Sequence, residues 1–137
     1  MSLARAVERL STFRQALSDA GLPAVEEWIR SAPMELQSGA ELAREIKRVR
    51  TRQQRPQAVF AASDIIAAGF VLESVRIGLE IPKDVAIAGF DGSALGQALT
   101  PALTSVHVPQ REIGRAAARL ALKKLRGETI DKPVVDV

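Results

Sequence analysis

The chain has 137 residues, 47% hydrophobic and 26% charged, an ordinary globular balance for one modest domain. It contains no cysteine, which excludes a disulfide framework and a thiolate metal site, and no apolar run approaches the roughly 20 residues of a membrane helix. The formal net charge is +3 and aromatics are scarce (four Phe, one Trp, no Tyr), so the core is expected to be Leu, Ile, Val and Ala.

The opening MSLARAVERL lacks the apolar stretch of a signal peptide, as in a cytoplasmic protein. Its first three residues fit an added start, as in an excised piece of a longer protein. Residues 4–20 predict an amphipathic helix, with Ala6, Leu10, Phe13 and Leu17 at helical spacing and Gly21 as a left-handed stop. Residues 24–30 alternate enough to predict a short strand, followed by a loop over 31–37. Ser38 and Glu41 have the spacing of a capping box, so a second helix is expected to open at Ser38 and to bury Leu42, Ile46 and Val49. Most of the excess charge lies in Lys47–Arg55. A nucleic-acid patch is one reading of it. A solvated helix end is preferred, because no aromatic residue interleaves for base stacking and cations suit a helix C-terminus.

Residues 58–62 (AVFAA) predict a buried strand. Ser63-Asp64 then opens a helix to Arg76, with Ile65, Ile66, Gly69, Leu72 and Val75 expected inside and Gly78 as its stop. Residues 85–90 (VAIAGF) are the most strand-like run, and Asp91-Gly92 is expected to turn the chain. Residues 93–102 predict irregular structure or a short helix. Residues 103–108 predict a strand open to solvent on one face. A helix from Pro109 to Arg126 ends at Gly127, and residues 133–137 predict a terminal strand. Apolar strands alternating with amphipathic helices imply an α/β fold with a mainly parallel sheet.

In an open parallel sheet, ligands bind beyond the carboxyl ends of the strands. That rule nominates Asp64, after the strand at 58–62, and Asp91, after the strand at 85–90; the strand at 24–30 would end near Arg30. A carboxylate can accept paired hydrogen bonds from sugar hydroxyls. Asp64 is equally a plain helix cap, and Asp91 equally a turn residue. Catalytic chemistry is poorly served. His107 is the only His, so neither a Ser–His–Asp set nor a zinc site is indicated. The glycines form no phosphate loop. The two rim carboxylates have the residue types of a glycosidase pair, but their separation is not legible in sequence. No metal and no cofactor is expected.

The run AVFAASDIIAAGFVLESVRIGLEIPKDVAIAGFDG resembles the LacI/GalR repressors. So do Pro101-Ala-Leu-Thr-Ser-Val106, PQREIG from Pro109, and Arg9-Leu-Ser-Thr-Phe13 followed by Ala20-Gly-Leu22. The phrase VAIAGFDGSALGQ is most similar to the gluconate-utilisation subgroup. The resemblance implies a three-layer periplasmic-binding-protein-like type I lobe with flavodoxin-like strand order, namely the C-terminal lobe of an effector domain. It implies no enzyme. It implies a sugar or sugar-acid effector held between two lobes, operator DNA contacted only through an N-terminal domain outside this chain, and a homodimer without membrane contact. By position it implies Arg9 and Asp64 as effector-binding residues and Met34 at a cleft wall, while Thr12 replaces a small glycine of the family. The helices at 38–52 and 64–76 resemble its dimerising faces, where an exposed apolar stripe is expected. The alternatives are a sugar-binding protein of an ABC transporter and an enzyme on a flavodoxin-like sheet.

Overall fold

The computed structural model describes residues 3–22 and 26–130. The chain divides into two compact units, 1–106 and 107–137. The first contains helix α1 (Leu3–Asp19), a 3-10 turn (Glu26–Trp28), helix α2 (Leu36–Arg48), a second 3-10 turn (Arg52–Gln54), strand β1 (Ala58–Phe60), helix α3 (Asp64–Ile77), strand β2 (Ala86–Asp91) and the short helix α4 (Ala94–Gln97). Strand β3 (Thr104–His107) runs to the boundary, and helix α5 (Gln110–Leu125) belongs to the second unit. The expected strand at 24–30 does not form over 26–28, which wind as a 3-10 turn; residues 24–25 lie outside the described residues, as does the expected strand at 133–137.

The sheet order is β1-β2-β3, with β1 and β2 parallel and Ala58, Val59 and Phe60 opposite Ala86, Ile87 and Ala88. Side chains alternate between sheet faces, so Phe60, Ala88 and Phe90 share one face and Val59 and Ile87 the other. The Val59 and Ile87 face packs against a core of Ala43 and Ile46 from α2, Phe70 from α3, Leu79 and Val85. Leu42 is half-buried against this core, while Val49 lies just beyond the end of α2.

The stops of α1 and α3 are read correctly from sequence, whereas α2 ends at Arg48, ahead of the expected residue 52. Gly21 and Gly78 adopt left-handed φ of 69° and 65°. The paired bonds of a Schellman ending follow each: Leu22 N to Leu17 O and Gly21 N to Ser18 O, then Leu79 N to Ser74 O and Gly78 N to Val75 O. Glycine enters that conformation without the Cβ clash other residues meet. In the second unit Gly127 (φ 73°) closes α5 with the same paired bonds, and Pro109 stands just before the helix as its cap.

The start of α2 differs from expectation. The helix opens at Leu36 behind Glu35, which makes no side-chain cap. Ser38 lies inside the first turn and donates its hydroxyl to Pro33 O (2.8 Å), while Glu41 accepts from Gln37 Nε2. The pair therefore has capping-box spacing but other local partners, and the chain turns helical two residues earlier.

The buried face of α3 also differs. Ile65, Leu72 and Val75 are 41%, 53% and 64% exposed, whereas Ala67, Ala68, Phe70 and Val71 are buried. Apolar residues surround this helix, so periodicity marks no face. The choice is made by α2, which approaches so closely that two glycines meet backbone. A Cβ on Gly39 would fall 2.6 Å from the Phe70 amide nitrogen, and one on Gly69 would fall 2.6 Å from the Leu36 carbonyl carbon.

The basic stretch after α2 serves helix ends. Lys47 Nζ donates to Gly78 O at the end of α3 (2.6 Å), and Arg55 Nε donates to Val49 O at the end of α2 (2.8 Å). Arg52 bonds Lys83 O at 3.0 Å. Unpaired carbonyls at a helix C-terminus attract cations in this way.

Candidate functional site

The carboxyl ends of β1 and β2 form one rim of the sheet, and α1 reaches its Phe60 and Phe90 face. Arg9 and Phe13 lie one helical turn apart on the same side of α1. Phe13 stacks on Phe60 with ring centroids 5.2 Å apart and planes at 22°, though it stays 38% exposed and is not a full core residue. The Arg9 guanidinium carbon sits 3.6 Å over the centre of the Phe90 ring, and Nη1 donates to Ala62 O at 3.0 Å. An aromatic face attracts a cation electrostatically, and the carbonyl bond fixes the second coordinate. The result is a half-buried guanidinium positioned where β1 runs out.

Asp64 follows two residues after Ala62, as the first residue of α3. It is not the cap. Ser63 caps the helix, accepting from Ile66 N, and Asp64 turns inward, 1% exposed. Its Oδ2 accepts from Ser93 N and its Oδ1 from the Ser105 hydroxyl, each at 2.6 Å. Gly92 N in turn donates to Ser105 Oγ at 3.0 Å. Burial alone would raise the carboxyl pKa; the hydrogen bonds from Ser105 and Ser93 outweigh it and hold the group below its ordinary 3.8. Each carboxylate oxygen accepts one hydrogen bond from the protein itself, out of the roughly four that a carboxylate can accept in all.

Asp91 is the last residue of β2, half-buried, rather than the start of the turn beyond it. Its φ is 123°, a region that L-residues rarely enter, and Gly92 follows at 68°. Met34 stands 49% exposed on the loop ahead of α2 and is not among the groups that bond at the rim. Arg30 pairs with Glu45 at 2.6 Å, Thr12 is exposed, and His107 is exposed at the end of β3. The structure thus brings Arg9 and the Asp64 network to one rim, with Asp91 between Phe90 and the held turn.

Sequence reasoning missed Phe90 as the platform for Arg9, and it missed Ser93 and Ser105. Reading β3 as alternating put its polar residues outside. Instead Ser105 is half-buried toward Asp64 while Val106 is 50% exposed. A buried carboxylate needs donors more than the strand needs an apolar contact at that position. A cavity of about 300 Å³ opens at the other end of α3, lined by Ser74, Val75, Gly78, Leu79, Ile81 and Pro101 among others. That helix spans 14 residues, which puts the cavity roughly 20 Å from the rim.

The family profile described as a periplasmic binding protein-like domain matches residues 3–137. The chain belongs to this family. The proteins it resembles include transcriptional regulators, some of them of the LacI family. The chain is 31% identical over 130 residues to the HTH-type transcriptional repressor PurR of Vibrio parahaemolyticus, covering 95% of this chain and 38% of the repressor. The structure of a LacI-family regulatory protein from Chloroflexus aggregans superposes with a TM-score of 0.81 at 28% identity, over 90% of this chain and 43% of that one. The transcriptional regulator CelR in complex with cellobiose superposes with a TM-score of 0.78 at 34% identity, over 90% and 37%. This periplasmic binding protein-like domain therefore spans about two-fifths of the length of its regulator relatives.

Proposed function

We propose that this chain is the C-terminal lobe of the effector-sensing part of a bacterial transcriptional repressor, and that it receives a sugar or sugar acid, gluconate-like, along the rim built by Arg9, Asp64 and Asp91. The observation that carries this reading is the Arg9 guanidinium held over Phe90 and on Ala62 O at the carboxyl edge of a parallel sheet. A fixed, planar guanidinium suits a carboxylate through paired hydrogen bonds. Asp64 and Asp91 supply acceptors for hydroxyls, and Met34 an apolar wall. The cellobiose complex of CelR supports a sugar-like ligand.

Sensing then works by population shift. A ligand that touches this lobe and a second one favours their closed arrangement, and its differential affinity sets how far operator binding moves. Operator contact falls to the part of the protein outside this chain, in the cytoplasm. A second copy is the proposed partner of the exposed Ile65, Leu72 and Val75 on α3, an apolar stripe that water would otherwise cover. The repressor relatives favour regulation over transport.

The test is a titration of the chain with gluconate and with neutral sugars, followed by amide chemical shifts so that millimolar binding registers. Gluconate should move resonances at Arg9 and at Phe90–Gly92, and neutral sugars should move them less. Shifts confined to other surfaces, or none up to tens of millimolar for any sugar or sugar acid, would reject the reading.

A further inference from the structure

The cavity at the far end of α3 shares no residue with the rim. Its volume of about 300 Å³ lies at the lower end of the range that small-molecule pockets occupy. Val75, Leu79, Ile81 and Pro101 give it apolar walls. Ser74 is the exception among them. It lines the cavity, is 0% exposed, and its hydroxyl has no hydrogen-bond partner among the described residues. Its backbone carbonyl is engaged, accepting from Leu79 N at 2.9 Å, so the side chain alone is left over. Buried hydroxyls are nearly always paired, because an unpaired one forfeits the bonds it would make to water.

The mouth is polar, and its charge is unequal. Lys83 and Glu80 line it and pair with each other at 2.8 Å. Lys47 Nζ donates to the carbonyl of the lining residue Gly78, and Arg52 Nη2 to that of Lys83. Asp84 accepts from Glu80 N at 3.0 Å. Three cations thus stand beside two carboxylates, and both carboxylates are already bonded. Lys83 is 70% exposed, and an exposed ion pair of this kind is weak enough to exchange partners. Each ammonium carries three donors, so a carboxylate arriving from solvent meets donor capacity that Glu80 and Gly78 O do not fill.

We propose that this cavity is a second ligand site, which takes a small hydroxylated organic acid with an apolar middle. The middle lies against Leu79, Ile81 and Pro101. The inner hydroxyl meets Ser74, and the carboxylate stays at the mouth beside Lys83 and Lys47. Ser74 exposes no surface, so it forms the floor, and the ligand must shift a wall side chain to reach it. A wholly apolar molecule would leave Ser74 unpaired, and a neutral one would gain nothing from the lysines. The site stands apart from the rim and does not depend on the effector reading.

The experiment titrates the whole chain with para-hydroxybenzoate, followed by amide chemical shifts. Benzoate, which lacks the inner hydroxyl, and para-hydroxybenzyl alcohol, which lacks the charge, are the controls. Para-hydroxybenzoate should move resonances between Ser74 and Lys83 and leave Arg9 and Gly92 in place. Ser74→Ala should weaken it about tenfold, the effect of losing one buried hydrogen bond, and should leave benzoate binding unchanged. The same variant without ligand should unfold at an unchanged or higher urea midpoint, since its hydroxyl has no protein partner to lose. Lys83→Met, a surface change, should weaken both acids about threefold and spare the alcohol. No shift between Ser74 and Lys83 up to tens of millimolar would overturn the proposal, and so would shifts confined to the rim. Equal losses for both acids in Ser74→Ala, or a lowered midpoint, would show a structural hydroxyl and overturn it too. If Ser74→Ala does not fold, that structural role is shown, and Lys83→Met still reports whether the acids enter by the mouth.

Discussion

Gly69→Ala tests the contact that organises the first unit. The new methyl would enter where α2 and α3 meet backbone to backbone, 2.6 Å from the Leu36 carbonyl carbon. Ordinary contact begins at 3.4 Å, and no side-chain rotamer can yield, because the obstacle is main chain. The helices must part by ~1 Å, which loosens Ala43 and Ile46 against Phe70 throughout the core. Overpacking of this kind costs 1–3 kcal/mol or more, and lost core contacts add to it, while the better helix propensity of alanine returns about 1 kcal/mol. A net loss of about 2 kcal/mol follows. In urea unfolding followed by far-UV circular dichroism, at a slope near 1.5 kcal/mol per molar, the midpoint should drop by roughly 1.3 M. Gly39→Ala, facing Ile66 and Phe70, should behave alike. Gly114→Ala on α5 is the contrast: nothing lies within 4 Å of its Cβ, so it should stabilise its own helix by up to about 1 kcal/mol. A Gly69→Ala protein as stable as wild type would refute the close-approach argument.

Three further outcomes are expected. Glu73, bonded by Arg76 and then by Arg44, titrates near 2 instead of 4.5, so its contribution is complete above pH 4.5 and lost as the pH falls from there toward 2. Glu73→Gln should therefore flatten the acid limb of stability in that window; superimposable limbs would show that the pairing contributes nothing. Arg9→Lys keeps the charge but loses the planar fork over Phe90, and gluconate affinity measured by shift titration should fall about tenfold or more; an unchanged affinity would remove Arg9 from the site. Leu72→Glu puts a charge in the exposed α3 stripe, and sedimentation should show a shift from dimer to monomer without loss of helix signal; a wild-type chain that sediments as a monomer would exclude this stripe as a self-association face.

The sequence determined what local chemistry controls. Gly21, Gly78 and Gly127 stop helices because left-handed backbone suits a residue without Cβ, and Ser63 caps α3 because its hydroxyl meets a free amide three residues on. The apolar runs at 58–62 and 85–90 form strands, and Asp64 and Asp91 follow at their carboxyl ends as local order dictates. Tertiary structure decided which face of α3 is buried, since a helix apolar all round carries no preference until α2 meets Gly69. It decided that Ser38 and Glu41 do not cap α2, because a short polar side chain takes whichever partner the folded chain brings nearest. It also separated two carboxylates that look alike in sequence. Asp64 is buried and accepts from donors 29 and 41 positions away, while Asp91 stays half-buried at the strand end. A carboxylate's role depends on which donors reach it, and that is a property of the fold rather than of its neighbours in the chain.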